Sequence, residues 1–368
     1  MMIKEQVIRK VLMTADPVGG VWTYAMDLCR ALNAADISVD LATMGCCLSE
    51  SQHEEVKSLS HVQLHESNYK LEWMENPWDD VEASGEWLLE LERETKPDII
   101  HLNGYMHAVL KWQAPVLVVA HSCVLSWWQG VLNEPAPKEW DEYKRRVAAG
   151  LRAADAVVSI SNTYAGEINR LYGPLENVTV IYNGRDIATF YSEKKQQQLF
   201  AMGRIWDEAK NLSILSKIIN PEKLPILIAG DNTDPNTGEV VQIEHVQLLG
   251  KLPQDEIRKY LAVSSYYVLP AKYEPFGLSA LEAALSGCLL FLAENPTLQE
   301  LWGDAAFYFH PDKPDELDAL LLKVHQQPAL AAEMVQRSST KAREFSLDKM
   351  ADKYLQLYQH LVQTNVVS

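Results

Sequence analysis

The chain is predicted to be an α/β protein built from two doubly wound domains, each a parallel sheet with helices on both faces. Three observations predict this. Short apolar runs alternate with helix-length amphipathic stretches along nearly the whole sequence, which is the pattern of consecutive βαβ units. The runs are continuous, as in Val116-Leu117-Val118-Val119-Ala120, which is what a strand covered on both faces needs. The 368 residues are also about twice what one domain takes, and the alternation restarts after a polar, aperiodic stretch at residues 192–198, read as the linker.

In the first half, a strand over residues 7–14 runs into Asp16-Pro17-Val18-Gly19-Gly20 and a helix over 21–34, whose apolar positions Tyr24, Ala25, Leu28, Ala31 and Leu32 recur at helical spacing. A strand over 38–44 follows. Residues 50–80 are acidic and poorly periodic. A helix over 81–94 leads to a strand over 99–103, closed by Gly104-Tyr105. The strand at 116–120 delivers His121 and Ser122 at its C-terminal end. A helix over 138–153, a strand over 156–161, a helix over 163–172 and a strand over 178–181 end at Asn183-Gly184. Residues 1–184 are therefore read as the first domain.

The second half repeats the type. Strands are expected at 199–202, 224–229, 246–249, 266–269, 289–292 and 306–309, with helices at 211–219, 254–262, 278–287, 298–302, 314–325 and 328–344. Residues 185–345 form the second domain. A terminal helix over 347–362 carries Met350, Tyr354, Leu355, Tyr358 and Leu361 on one face.

The net charge is −17. Both halves are acidic, so neither nucleic acid nor an anionic membrane is an expected partner. The leading residues lack the apolar core of a signal segment, and the longest apolar runs are of strand length, so a cytoplasmic protein is expected. Five cysteines without a CxxC spacing indicate neither a disulfide framework nor a zinc site.

The most informative stretch runs from Tyr273 to Gly287. It reads as a strand end, a tight loop and a helix start, where unpartnered amide groups favour anions, phosphates above all. Two carboxylates frame it, Glu274 in the loop and Glu282 in the helix, with seven residues between them. Acidic groups beside an anion site make sense when they address hydroxyls of the same ligand. The cations for a diphosphate stand after the strand at 199–202: Arg204, with a planar fork, and Lys210, a point charge. The loop at Gly19-Gly20 does not match G-x-G-x-x-G, which disfavours a dinucleotide oxidoreductase.

With these residues, the chain resembles the retaining nucleotide-sugar glycosyltransferases of the GT-B fold, family 4 in particular. The resemblance rests on the Glu274/Glu282 spacing, Glu274-Pro275-Phe276-Gly277, Gly203-Arg204 with Lys210-Asn211, Asn183-Gly184 and Gly19-Gly20-Val21. It implies two Rossmann-like domains facing across a cleft, the first binding the acceptor and the second the donor, with residues 346–368 crossing back to the first. It further implies that Glu282 binds the ribose diol and Glu274 the transferred sugar, and that Arg204 and Lys210 hold the diphosphate. Backbone amides of Phe276, Gly277 and Leu278 would serve sugar and phosphate. Gly19 and Gly20 would approach the donor, and His121 would lie near the reaction centre. Where the family usually has an acidic residue after this histidine, Ser122 stands here.

Tyr105, Trp127 and Trp128 are weak candidates for an acceptor wall, with core packing an equal alternative. No metal and no cofactor is expected beyond the nucleotide-sugar co-substrate, because the two cations take the metal's place. Lys210→Ala or Glu282→Ala is expected to abolish transfer without unfolding the chain. A nucleotide-sugar-binding relative without transfer activity, an epimerase, and a phosphorylase or sugar synthase remain alternatives. Donor base, sugar, acceptor and oligomeric state are not legible.

Overall fold

The computed structural model describes residues 8–220, 223–234 and 237–365. The leading residues on which the signal-segment reading rests, and Val7, lie outside them. The chain divides into two compact units. The first takes residues up to Gln129, Glu134–Gly184 and the stretch from Leu347 on; the second comprises Gly130–Asn133 and Arg185–Ser346.

In chain order the first unit runs β1 (Lys10–Ala15), α1 (Gly20–Ala34), β2 (Ser38–Thr43), α2 (Glu50–Lys57), β3 (Val62–Glu66), α3 (Trp78–Thr95) and β4 (Ile99–Leu102). It continues with β5 (Val116–Ala120), α4 (Val124–Leu132), α5 (Asp141–Ala153), β6 (Ala156–Ser159), α6 (Asn162–Tyr172) and β7 (Val178–Val180). Its seven strands are parallel in the order β3-β2-β1-β4-β5-β6-β7. Every residue of β4, β5 and β6 is buried, as the unbroken apolar sequence of β5 requires; His101 in β4 and Ser159 in β6 are buried with them.

The second unit runs β8 (Gln196–Met202), β9 (Ile226–Ala229), β10 (Gln247–Gly250), α7 (Gln254–Val263), β11 (Ser264–Leu269) and α8 (Leu278–Leu285). Then come β12 (Leu289–Ala293), α9 (Pro296–Trp302), β13 (Phe307–Phe309), α10 (Pro314–Gln326) and α11 (Pro328–Ala342). The parallel order β10-β9-β8-β11-β12-β13 repeats the winding of the first unit. In both sheets the order reverses beside the first strand, between β1 and β4 and between β8 and β11. Loops leaving those strand ends diverge to opposite faces and open the crevice where ligands of such sheets bind.

The last helix, α12 (Leu347–Asn365), belongs to the first unit. Tyr354 and Tyr358 on its inner face are fully buried. The Tyr358 hydroxyl lies 2.6 Å from His101 Nδ1, and the other ring nitrogen lies 3.2 Å from the Tyr24 hydroxyl of α1.

Four expectations need correction. The poorly periodic residues 50–80, given no element in the sequence reading, hold α2 and β3. α2 is capped by Ser49 and Gln52 in a reciprocal box, but it buries only Val56, and β3 has no fully buried residue, so neither wrote a period. The helix expected at 211–219 is a short 3-10 helix, Leu212–Ser216. Asn211 before it is left-handed, and its side chain ties down the Pro270 and Pro311 carbonyls instead of starting an α-helix. The end of the linker is strand, because β8 begins at Gln196 and Gln198 bonds Ser264 Oγ at 3.0 Å. Trp127 and Trp128 lie on α4, which had no sequence counterpart.

Gly150 shows how closely these layers approach. A β-carbon there would stand 2.0 Å from the Tyr105 carbonyl oxygen. Gly150→Ala is therefore expected to push α5 off the loop after β4 and destabilise the first unit by about 1–3 kcal/mol, read as a lowered urea midpoint. An unchanged midpoint would mean that this packing is loose.

Candidate active site

In the second unit the loops leaving β8 and β11 come together as the switch point dictates. The Lys272 amide donates to the Ala209 carbonyl at 2.9 Å and Asn211 Nδ2 to the Pro270 carbonyl at 3.1 Å. This tie brings together side chains 64 residues apart: Lys210 Nζ donates to Glu274 Oε2 at 2.7 Å. The other carboxylate oxygen, Oε1, accepts the Gly277 amide at 2.9 Å. Gly277 precedes α8 at φ 87°, a conformation that costs other residues strain, and a β-carbon there would meet Leu298 at 3.0 Å. The start of α8 thus carries a carboxylate fixed at both oxygens and a lysine with further N–H donors.

The sequence reading gave the Gly277 amide to the ligand; in the structure Glu274 takes it. Phe276 points its ring into the core against Phe345, leaving its backbone at the loop, and Leu278 opens the helix. Arg204 is held back by Asp207, whose Oδ2 accepts from Nε at 3.1 Å and from Nη2 at 2.5 Å. The guanidinium also lies over the Trp206 ring. Asp207, which sequence reasoning passed over, also accepts the Ala209 amide at 2.9 Å, so one buried carboxylate shapes the loop that carries both cations.

Glu282 sits on α8 and is 4% exposed, not on the surface face that an isolated helical glutamate would take. Its Oε1 lies 3.0 Å from Nη2 of Arg185, and Gln254 Nε2 is 3.4 Å from the same oxygen. Sequence reasoning missed Arg185. It follows Asn183-Gly184 in what reads as loop, and its partner is 97 positions further on, so no local pattern could have paired them.

In the first unit the ends of β1, β4 and β5 converge. Asn103 donates its amide to Thr14 Oγ1 at 2.9 Å and Nδ2 to the Thr14 carbonyl at 2.7 Å. Its Oδ1 is then left to accept, and His121 Nε2 lies 2.8 Å away. This fixes the proton of His121 on Nε2 and leaves Nδ1 as an acceptor. The Tyr24 ring meets the imidazole edge-on at 4.6 Å. Gly19 and Gly20 stand at the start of α1, and Ser122 is exposed. Tyr105 is buried instead of lining an edge: its hydroxyl donates to the Ser122 carbonyl at 2.7 Å and contacts the Tyr164 hydroxyl at 3.1 Å. Trp127 and Trp128 are half-buried in edge-to-face contact.

Burial holds three imidazoles of this unit neutral. His121 and His101 are lowered to about 3 and His107 to about 4. Glu72 runs the other way, raised to about 7 by burial even though it accepts the Tyr105 and Met106 amides. Between about pH 4.5 and 6.5 the unfolded chain protonates the three histidines while the folded one does not, so their stabilisation is complete above 6.5 and is lost as pH falls. Folded Glu72 keeps a proton that the unfolded chain releases above its ordinary range, which favours the folded state as pH falls. Among these four groups the three histidines outweigh Glu72, so their joint effect is proton uptake on unfolding, read from the slope of urea stability against pH. His121→Asn should lower that slope by one proton; an unchanged slope would mean that His121 is not held neutral.

Among the described residues no group of three or more His, Cys, Asp or Glu could hold a metal ion, and no helix is long and apolar enough to cross a membrane.

Two parallel-sheet, Rossmann-like units of this winding match the fold of solved glycosyltransferase structures. Sucrose-phosphate synthase from Thermosynechococcus elongatus is similar over 97% of this chain and 100% of its own, with a TM-score of 0.80 at 17% identity. HepE from Anabaena, solved in complex with UDP and glucose, is similar over 95% of this chain and 99% of its own, with a TM-score of 0.75 at 14% identity.

The family model Glycosyltransferase Family 4 matches residues 18–189 and the model Glycosyl transferases group 1 matches residues 185–344. The chain belongs to the GT-B glycosyltransferases. A glycogen synthase of Mycobacterium tuberculosis is 25% identical over 285 residues, covering 70% of this chain and 66% of that protein. The chain thus spans about two thirds of that relative's length.

Proposed function

We propose that the protein transfers a hexose-type sugar from a UDP- or GDP-sugar to a hydroxyl of a soluble acceptor, with retention at the anomeric carbon and without a metal. The observation that carries this reading is the Lys210–Glu274 pair at the start of α8. Lys210 has donors for a diphosphate besides the one given to Glu274. The Glu274 carboxylate, held by Lys210 and the Gly277 amide, has lone pairs for the hydroxyls of the transferred sugar. Glu282 takes the ribose diol, and Arg204 swings to or shares the diphosphate from Asp207. The complex of HepE with UDP and glucose supports a uridine nucleotide among the candidate donors.

In the reaction the bond from the anomeric carbon to the diphosphate oxygen breaks, and its electron pair stays on the diphosphate. Lys210, Arg204 and the first amides of α8 are placed for the charge that grows there, which is the work a metal would otherwise do. The acceptor oxygen bonds to the same face of the sugar, and its proton passes to a diphosphate oxygen. His121, neutral with Nδ1 as acceptor, orients a sugar hydroxyl and takes no proton.

The test is release of nucleoside diphosphate from UDP- and GDP-hexoses with an acceptor panel in EDTA, with proton NMR of the new linkage. Acceptor-dependent release and an α-product from an α-donor are expected. An inverted product or loss of turnover in EDTA would contradict the proposal.

A further inference from the structure

Arg185 is the first residue of the second unit after β7, and its backbone is anchored there, with its amide donating to the Phe345 carbonyl at 3.1 Å. Its guanidinium is as buried as the carboxylate it meets, each side chain being 6% exposed. The guanidinium carbon lies 5.3 Å from the centre of the Phe190 ring. The neighbours of Glu282 on α8, namely Leu281, Ala283 and Ala284, are buried and apolar. A carboxylate in such surroundings needs a charged or multiply donating partner, and arginine supplies one that cannot lose its proton and presents its N–H groups in a fixed plane. An aromatic face on one side and a backbone anchor on the other leave that plane little freedom.

We propose that Arg185 is a positioning residue for the donor: its guanidinium fixes the Glu282 carboxylate in the one orientation that accepts both hydroxyls of a ribose, and so sets the preference for ribonucleotides over 2′-deoxyribonucleotides. The proposal rests on the donor reading above.

Arg185→Lys carries the test, because it keeps the buried cation and with it the fold but removes the rigid guanidinium plane. Affinities are measured by calorimetry for UDP and GDP and for their 2′-deoxy counterparts, with circular dichroism melts of each variant. The parent is expected to bind the ribose form of its nucleotide at least about tenfold more tightly, the worth of one hydrogen bond to a charged group. In Arg185→Lys that ratio should fall to about threefold or less, with affinity for the 2′-deoxy form nearly unchanged. Glu282→Gln should lose the same preference, and the double variant should lose no more than either single one.

A parental ratio retained in Arg185→Lys, or equal weakening of both nucleotide forms, would show Arg185 to be a structural partner only and overturn the proposal. A parent that binds neither UDP nor GDP would instead overturn the donor reading itself.

Discussion

Lys210→Ala is expected to lower turnover by about 100- to 1000-fold, the loss typical when one preorganised group facing developing charge is removed, while the melting temperature barely moves. The two halves of this expectation have separate causes. Lys210 Nζ lies 2.7 Å from Glu274 Oε2, with 24% of the lysine side chain exposed. A partly solvated pair of this kind contributes at most about 1 kcal/mol to folding. The same ammonium bonds the carboxylate that accepts the Gly277 amide just before α8, where the leaving diphosphate would gather charge. Its removal also leaves the Glu274 carboxylate facing an anionic ligand without the cation between them. Both ground-state affinity and turnover should therefore fall, turnover more steeply. Steady-state kinetics and a thermal melt on the same preparation check this, and a variant within threefold of the parent would remove Lys210 from the mechanism.

Glu282→Ala should behave differently, and here the structure changes what the sequence led one to expect. Read as a ligand contact, the residue could be truncated without harm to the fold. Instead Glu282 is paired with Arg185, both side chains being 6% exposed. Removing one member of a buried pair strands the other charge and costs about 3–5 kcal/mol, a large share of the stability of any domain. The variant is expected to lower the urea midpoint of the second unit's transition and to lose activity in step with folded protein. Glu282→Gln keeps the shape and a hydrogen-bond acceptor beside Arg185 and should fold far better. A Glu282→Ala protein as stable as the parent would show that solvent reaches this pair.

What could be read in the sequence, and what could not, follows from how each element is stabilised. β5 and β12 are covered on both faces, so burial wrote them as unbroken apolar runs. α1 was legible because its buried Tyr24, Ala25, Leu28 and Leu32 fall at helical spacing. β3, at the edge of the sheet, had no such constraint and left no pattern. The short 3-10 helix after Asn211 was mistaken for a longer helix because the side-chain bonds that hold Asn211 left-handed reach carbonyls at Pro270 and Pro311, far along the chain.

The site divides in the same way. Glu274 and Glu282 announced themselves as carboxylates at a helix start. Asp207 looked like an ordinary loop acid and Arg185 like an ordinary loop base; their roles exist only through partners that folding brings near. His121 could be placed at a strand end, but its tautomer is set by Asn103, just past β4, and by Thr14 on β1.

In this proposal the start of α8 in the second unit is a metal-independent diphosphate site. Thermal-shift titration of UDP, GDP and ADP against the parent and Lys210→Ala, all in EDTA, tests this most directly. At least one nucleotide is expected to raise the parent's melting temperature in a dose-dependent way and to raise the variant's markedly less at the same concentrations. Stabilisation that appears only when a divalent cation is restored, or that is equal in parent and variant, would contradict it.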